Sequence, residues 1–332
     1  MRLNEIFCDG AVFAANKPIR IFGTGGGLAE IEFLGKSYSA EKIGARWEID
    51  LPPMPYGGPY EMNVTLDGRK QTLHDIYIGD VYLLAGQSNM QFKLKESDYG
   101  EDMRGDDWLL RLFSTERVSA GESFFVQDGW VKAKKTNAGE WSCIGYFVGK
   151  ELRKRCGHAV GLIACYQGAA DIQAYLPDSA FSNPSFAIPD DDRFDMEYPW
   201  NEGHSQLYNF QLKQVIPYQC TAVLWYQGES NVSKKESAVY GDMLSCLFES
   251  WRAAFKDKEL PFVVVQIADF VGRDHAFWHK IQQIQEEIQH KEKNVITVVS
   301  RDVCESTDIH PMKKYELAMR IADAAANKKW RK

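Results

Sequence analysis

Apolar and polar residues are spaced differently in the two parts of this chain. Up to residue 75 they alternate over short runs separated by turn residues, as in Ile19–Phe22, Trp47–Leu51 and Tyr60–Leu66. Short alternating runs are typical of antiparallel strands, so residues 1–75 are predicted to form a small all-β leader domain, a sandwich or jelly roll. The glycine-rich run 23–27 lacks the spacing of a dinucleotide-binding turn, and a strand follows it instead of a helix.

From residue 76 onward, continuous apolar runs alternate with segments of helical spacing. Five runs have the composition of buried parallel strands: Ile76–Ala85, Ala159–Cys165, Thr221–Tyr226, Pro261–Ile267 and Asn294–Ser300. The helical spacing is clearest over residues 240–255, where the apolar side chains share one face. This alternation predicts a three-layer α/β/α domain over 76–332, built on a five-stranded parallel sheet.

Polar residues follow three of the predicted strands. Ser88 follows the first, Gln227–Asn231 follows the third, and Asp308 and His310 follow the fifth. The carboxyl ends of parallel strands meet at one edge of a sheet, so we expect these residues to lie together. A serine hydroxyl needs a base such as His310, and the imidazole needs an acid to orient it. The residues therefore predict a serine esterase.

Three ordered motifs support a family resemblance that covers almost the whole chain. They are Gly79-Asp-Val-Tyr-Leu-Leu-Ala-Gly-Gln-Ser-Asn-Met90, Leu224-Trp-Tyr-Gln-Gly-Glu-Ser-Asn231 and Asp308-Ile-His-Pro311. The chain resembles the sialate O-acetylesterase group of the SGNH (GDSL-like) hydrolases, which includes related carbohydrate acetylesterases. The resemblance implies removal of an acetyl group from a carbohydrate through an acyl-enzyme, with neither a metal nor another cofactor.

The resemblance also implies roles for the catalytic residues. Ser88 matches the nucleophile and His310 matches the base. Many SGNH enzymes carry the acid three residues before the histidine, where this chain has threonine. Asp308, two residues before His310, is the preferred acid, and Asp302 and Glu305 are the alternatives.

The oxyanion-binding groups follow from the same resemblance. The Ser88 N–H and the Gly168 N–H are the expected backbone donors. An amide side chain from Gln227 or Asn231 is the third, and Gln227 is preferred because it directly follows a strand. Gly168 is followed by two alanines where the family usually has Gly-Thr or Gly-Ser, and Tyr175 stands near the usual position of a tryptophan. These departures affect the expected contacts with the acylated sugar and leave Gly168 as an expected oxyanion donor.

The substrate is expected to meet long irregular segments. Residues 167–205 contain several prolines and aromatic residues, so they predict a folded lid or rim, and they share control of specificity with residues 92–135. Trp200, Tyr175 and His204 are candidate contacts with the sugar, although an ordinary loop position is an equal interpretation of His204.

Composition narrows the possible partners. The net charge is −7 without a basic stripe, which argues against nucleic acid. No apolar run approaches the roughly 18 residues of a membrane span, and the amino terminus lacks a signal-peptide core, so we expect a cytoplasmic protein without a membrane partner. The seven cysteines contain no C-x-x-C pair, which predicts neither a disulfide framework nor a zinc ribbon. We predict no metal and make no prediction of oligomeric state.

Two other functions stay open at this point. A xylan- or mannan-oligosaccharide acetylesterase would use the same catalytic residues, because specificity resides in the loops. A non-catalytic carbohydrate-binding protein could retain the esterase scaffold, but the presence of both Ser88 and His310 weighs against it. An acetylated mono- or oligosaccharide is the expected substrate.

Overall fold

A computed structural model describes residues 1–42, 45–100, 102–116, 128–272 and 275–327. Within these ranges the strands are β1 (Arg2–Leu3), β2 (Val12–Ala14), β3 (Ile19–Thr24), β4 (Gly27–Phe33), β5 (Lys36–Lys42), β6 (Arg46–Leu51), β7 (Gly57–Leu66), β8 (Arg69–Gly86), β9 (Asp107–Ser114), β10 (Trp130–Ala133), β11 (Val160–Tyr166), β12 (Ala222–Tyr226), β13 (Phe262–Val265) and β14 (Val295–Val298). The α-helices are α1 (Ser88–Gln91), α2 (Cys143–Cys156), α3 (Gln206–Phe210), α4 (Lys234–Ala254), α5 (His275–Lys291) and α6 (Tyr315–Ala325). None of these helices has the length and apolarity of a membrane span.

The largest sheet contains a run of parallel strands in the order β9, β11, β8, β12, β13, β14. β10 extends this run as an antiparallel neighbour of β9. All five strands predicted from the apolar runs are present, but β9 is a sixth parallel strand, so the five-stranded prediction was wrong. Arg111 interrupts the apolar pattern of β9. Its buried guanidinium donates hydrogen bonds to the carbonyls of Gly10 and Asp75, at 2.7 and 2.6 Å.

One long strand joins the amino-terminal strands to the rest of the molecule. In its first half, β8 pairs with β7 and β2, and from Asp80 onward it pairs with β11 and then β12. β7 continues through β4 to β5, whereas β1, β3 and β6 form a separate antiparallel sheet. The predicted boundary after residue 75 lies inside β8, so a continuous strand connects the two parts instead of a linker.

The inner strands of the parallel run are buried on both faces, as their apolar composition predicts. Every residue of β11, β12 and β13 is buried. Helix α4 packs the predicted apolar face inward, with Trp251 set edge-on against Trp225 of β12 at a ring separation of 5.8 Å. Helices α2 and α6 contact each other, and α4 contacts α5. The protein is therefore a mixed α/β fold with one large mixed sheet.

The end of β8 leaves no room for a side chain. Gly86 has a φ of +129°, and a Cβ built there would lie 2.0 Å from the backbone oxygen of its partner Tyr226 on β12. Only glycine satisfies both conditions. The chain turns at Gln87, and α1 begins at Ser88, so this close approach of two strands delivers Ser88 to the carboxyl edge of the sheet.

We predict that Gly86→Ala lowers the free energy of unfolding by about 2–4 kcal/mol, because the methyl group must displace the β12 backbone. Denaturant unfolding measures the loss. Gly105→Ala is the control, since a Cβ there meets open space. It should change stability by less than about 0.5 kcal/mol. Equal stabilities for the two variants would contradict the close packing of β8 on β12.

Candidate active site

Two predicted residues from distant parts of the chain meet at the carboxyl edge of the sheet. The Ser88 Oγ lies 2.8 Å from the His310 Nε2, which is hydrogen-bonding distance. Ser88 begins α1, and His310 lies in the loop between β14 and α6. Both residues are half-buried, so the pair is packed but still accessible to a small molecule. A hydroxyl held on an imidazole can lose its proton to that imidazole as it attacks an electrophile.

The surroundings of His310 favour its neutral form. Burial lowers the pKa of the imidazole below its ordinary value, and the nearby Lys314 ammonium lowers it further. The Asp308 carboxylate acts in the opposite direction. A neutral imidazole near pH 7 can accept the serine proton, so the charge state suits a general base.

The predicted acid does not contact the imidazole ring. The Asp308 carboxylate accepts the backbone N–H of His310 at 2.8 Å. Asp302 instead pairs through both oxygens with Arg320, at 2.7 and 2.8 Å. Glu305 accepts two backbone N–H groups of its own loop. Among the described residues, no carboxylate hydrogen-bonds to the ring of His310, so the geometry is that of a serine–histidine pair without a hydrogen-bonded third member.

A buried amide beside the serine connects three loops. The Nδ2 of Asn89 donates to the Glu229 carboxylate at 2.7 Å and to the Ile309 carbonyl at 2.9 Å. Its Oδ1 accepts the Lys314 ammonium at 2.7 Å. Ile309 precedes His310, so Asn89 ties the serine turn to the histidine loop. This role was not predicted, and the only sequence signal for it is the position of Asn89 next to Ser88.

Asn89 also separates two buried charges of opposite sign. Burial lowers the pKa of the wholly buried Lys314 and raises the pKa of Glu229. The Lys314 ammonium lies 4.8 Å from the centre of the Phe92 ring, where it gains a cation–π contact. Neither charged group meets bulk water, so each depends on the amide between them.

The backbone around Gly168 borders the serine. A Cβ built on Gly168 would lie 3.9 Å from the Ser88 Cβ. The Gly168 N–H donates to the side-chain oxygen of Gln91 at 2.7 Å, so a carbonyl-type acceptor already occupies this donor. In the described part of the chain, no acceptor engages the Ser88 N–H. One backbone donor without an acceptor, the Ser88 N–H, and one occupied donor, the Gly168 N–H, thus lie close to the Ser88 side chain.

The two predicted amide donors belong to a buried network. Gln227 gives both of its amide hydrogens to protein acceptors, the Ala170 carbonyl at 3.1 Å and the Asn231 side chain at 2.7 Å. Asn231 likewise gives both hydrogens to Gln173 and Glu236, and its oxygen accepts the N–H of Ile172 at 2.9 Å. An oxyanion contact from either amide would require exchange of an existing hydrogen bond.

Two of the three candidate sugar contacts are core residues. Tyr175 is fully buried, and its hydroxyl donates to the Gly86 carbonyl at 2.7 Å. Trp200 is only 4% exposed and stacks on Tyr198. The assignment of these two residues to an accessible rim was therefore wrong. His204 is partly exposed and stacks on Phe181 at 3.9 Å.

The irregular segment 167–205 is folded onto the body of the protein. A buried ion pair between Arg193 and Asp171 anchors it, and Arg193 also donates to the Asn201 carbonyl at 2.6 Å. Tyr175 and Trp200 of this segment are buried in the core. In the other predicted specificity segment, 92–135, residues 101 and 117–127 lie outside the described residues.

We predict that Asn89→Ala lowers the free energy of unfolding by about 3 kcal/mol, because it leaves two buried charges without their polar partner. Adding Lys314→Met should recover at least about 1 kcal/mol, since it removes one of those charges. Denaturant unfolding of both variants measures the coupling. The exposed Asn209→Ala serves as control and should cost under about 0.5 kcal/mol. Strict additivity of the two substitutions would disprove the coupling.

Comparisons with known proteins agree with the motifs. The sialate O-acetylesterases of Pongo abelii and Homo sapiens are 27% and 26% identical to this chain over 314 and 310 residues. Each match covers 83% of the chain and 59% of the relative, so the chain spans about three-fifths of those proteins. A crystal structure of a carbohydrate acetylesterase from Xanthomonas citri has a TM-score of 0.85 at 29% identity, over 98% of this chain and 74% of that one.

A family model described as "Carbohydrate esterase, sialic acid-specific acetylesterase" matches residues 78–327. This range contains every strand of the parallel run except the first half of β8, together with both residues of the serine–histidine pair. The chain belongs to the sialic acid-specific acetylesterase family of carbohydrate esterases.

Proposed function

We propose that this protein is a serine esterase that removes O-acetyl groups from carbohydrates. The observation that carries the proposal is the 2.8 Å contact between the Ser88 Oγ and the His310 Nε2, at the carboxyl edge of a parallel sheet. The neutral state of His310 supports it, because only an unprotonated imidazole can take the serine proton. The relatives named as sialate O-acetylesterases support the same chemistry.

The reaction has two halves. The Ser88 Oγ attacks the acetyl carbonyl carbon while His310 takes the hydroxyl proton, and the resulting tetrahedral intermediate carries a negative oxygen. His310 then returns the proton to the sugar oxygen, the C–O bond to the sugar breaks, and Ser88 is left acetylated. Water attacks the acetyl-serine with His310 again acting as base. Acetate leaves, and Ser88 regains its proton.

The negative oxygen is proposed to bind the N–H groups of Ser88 and Gly168. In the free protein the Gly168 N–H donates to the side-chain oxygen of Gln91, with 2.7 Å between the nitrogen and the oxygen. The negative oxygen of the intermediate would replace that Gln91 oxygen as the acceptor. For Gln227 and Asn231 we prefer a positioning role, because they hold the backbone of Ala170 and Ile172 just after Gly168. The original oxyanion role for these two amides stays a prediction.

Asp308 is proposed to assist His310 through charge instead of through a hydrogen bond to the ring. Its carboxylate favours the imidazolium that forms during attack, whereas Lys314 disfavours it. The Asp308 side chain also fixes the backbone that carries His310. In a catalytic triad the carboxylate orients the imidazole and stabilises the imidazolium without itself being protonated, and Asp308 is proposed to supply the stabilising charge.

An acetylated sialic acid is the preferred substrate, since the curated relatives carry that name. Acetylated xylo- or manno-oligosaccharides are the second candidate, supported by the broader description of the Xanthomonas citri enzyme as a carbohydrate acetylesterase. The contact between Ser88 and His310 weighs against a purely carbohydrate-binding protein.

For the architecture, we propose an SGNH-type three-layer α/β/α catalytic domain over residues 76–332. Residues 1–75 would form its β-sandwich leader. The separate sheet of β1, β3 and β6 beside the sheet of β4, β5 and β7 supports two leader layers. The two helix pairs, α2 with α6 and α4 with α5, support helix layers on the central sheet.

We predict that Ser88→Ala lowers kcat on an activated acetyl ester by about three orders of magnitude or more, because no other hydroxyl contacts His310 in the described structure. Ser250→Ala removes a similar hydroxyl from α4 and should leave the rate unchanged. Acetate release from acetylated sialic acid, xylo-oligosaccharides and manno-oligosaccharides then ranks the substrates. Retention of most of the rate by Ser88→Ala would remove the nucleophile assignment.

The rate of ester hydrolysis should fall at low pH, because His310 becomes protonated and can no longer act as a base. Because burial and Lys314 lower the pKa of His310, we predict an acid limb of kcat/KM below about pH 6.5. Lys314→Met should move this limb to higher pH, and Asp308→Asn should move it to lower pH. A pH series on the three proteins measures the shifts. Movement of both variants in one direction would contradict the assignment of His310.

A further inference from the structure

A second cluster of reactive side chains lies at the other edge of the parallel sheet. A carboxylate oxygen of Asp80, the sulfur of Cys156 and a ring nitrogen of His158 all lie within 4.8 Å of one another. We propose that these three residues bind a divalent, thiophilic cation of the zinc class. The proposal is independent of the esterase function, because none of the three residues belongs to the serine site.

The end of helix α2 brings the sulfur and the imidazole together. Cys156 is the last residue of the helix, and Gly157 caps it in the left-handed conformation with a φ of +74°. This turn reverses the chain direction and brings His158 next to Cys156, whose Sγ lies 3.7 Å from the His158 backbone oxygen. His158 leads directly into β11, which pairs with β8 at Asp80. The two elements that carry the ligands are therefore fixed by the sheet.

The Asp80 carboxylate is the third proposed ligand, beside Cys156 and His158. The His158 Nε2 lies 3.0 Å from one oxygen of Asp80, close to the separation of roughly 3.3 Å between two ligands of a tetrahedral zinc ion. The Cys156 sulfur lies within 4.8 Å of both other ligand atoms, so binding of the cation would draw the sulfur closer to them. One sulfur, one nitrogen and one oxygen ligand suit zinc and leave a fourth position for water. Cys156 and His158 are partly exposed, so a cation can reach them.

Tyr56 supplies the outer support that metal ligands usually have. Its hydroxyl donates to one oxygen of Asp80 at 3.1 Å, and the His158 Nε2 lies 3.0 Å from the other oxygen. Its ring stacks on the His158 ring with 3.8 Å between the centroids. Tyr56 belongs to the amino-terminal part, so a bound cation would fasten that part to β8, β11 and α2.

The position of the cluster predicts a structural role for the cation. Asp80 and Gly86 are six residues apart on one strand, so the cluster lies about 20 Å from the serine turn. A cation there cannot contact the acetyl group. The separation of Asp80 from Cys156 and His158 in the sequence explains why residue spacing gave no signal for this site.

The test uses the purified full chain, freed of metal by a chelator, with Co²⁺ and Zn²⁺ as the probes. Binding of one Co²⁺ should produce the near-ultraviolet absorption of a cobalt–thiolate bond, and Zn²⁺ should raise the melting temperature. Cys156→Ser should abolish the absorption and weaken Zn²⁺ binding at least about tenfold. Cys246→Ser, which changes a partly exposed cysteine on α4, should preserve both signals.

Tyr56→Phe provides a milder variant if Cys156→Ser folds poorly. It retains all three ligands but removes the outer hydrogen bond, so it should weaken Zn²⁺ binding by about 10–100-fold and keep the cobalt–thiolate absorption. Ester hydrolysis by the chelated protein should persist, which separates this test from that of the esterase. Absence of saturable binding, or an absorption that survives Cys156→Ser, would overturn the proposal and leave an ion pair between Asp80 and His158.

Discussion

One buried amide, that of Asn89, holds the parts of the serine site in a fixed arrangement. It contacts a carboxylate after β12, a carbonyl beside His310 and an ammonium at the start of α6. Each of these groups would be costly to bury alone, so the amide and its partners stabilise one another. The 2.8 Å distance between Ser88 and His310 depends on this network, because it links the two loops that carry them.

Strand β8 connects the serine site to both parts of the molecule. Its first half pairs with strands of the amino-terminal part, and its second half lies at the centre of the parallel run. The strand ends where Gly86 meets the β12 backbone without space for a side chain. The Tyr175 hydroxyl, from the segment 167–205, donates a hydrogen bond to the Gly86 carbonyl. The amino-terminal strands therefore help to support the candidate active site, although none of their described residues contacts Ser88 or His310.

Much of this organisation could be predicted from the sequence, for reasons that particular residues make clear. Five of the parallel strands contain long apolar runs, so their burial could be predicted. The charged Arg111 interrupts the apolar run of β9, so this strand was missed. The contact between Ser88 and His310 could be expected because each residue lies in a short motif that follows a recognisable strand. Asn89 and Lys314 were missed because their contact joins residues 225 positions apart. Tyr175 and Trp200 were misassigned because their burial depends on how residues 167–205 fold around the ion pair of Arg193 and Asp171.

The proposed esterase reaction passes through an acetyl group on Ser88. Rapid acid quenching of the protein with an activated acetyl ester, followed by peptide mass spectrometry, tests this claim directly. We expect the added mass of one acetyl group on the peptide that contains Ser88, at the serine itself. An acetyl group that forms during turnover on another residue, and not on Ser88, would contradict this mechanism.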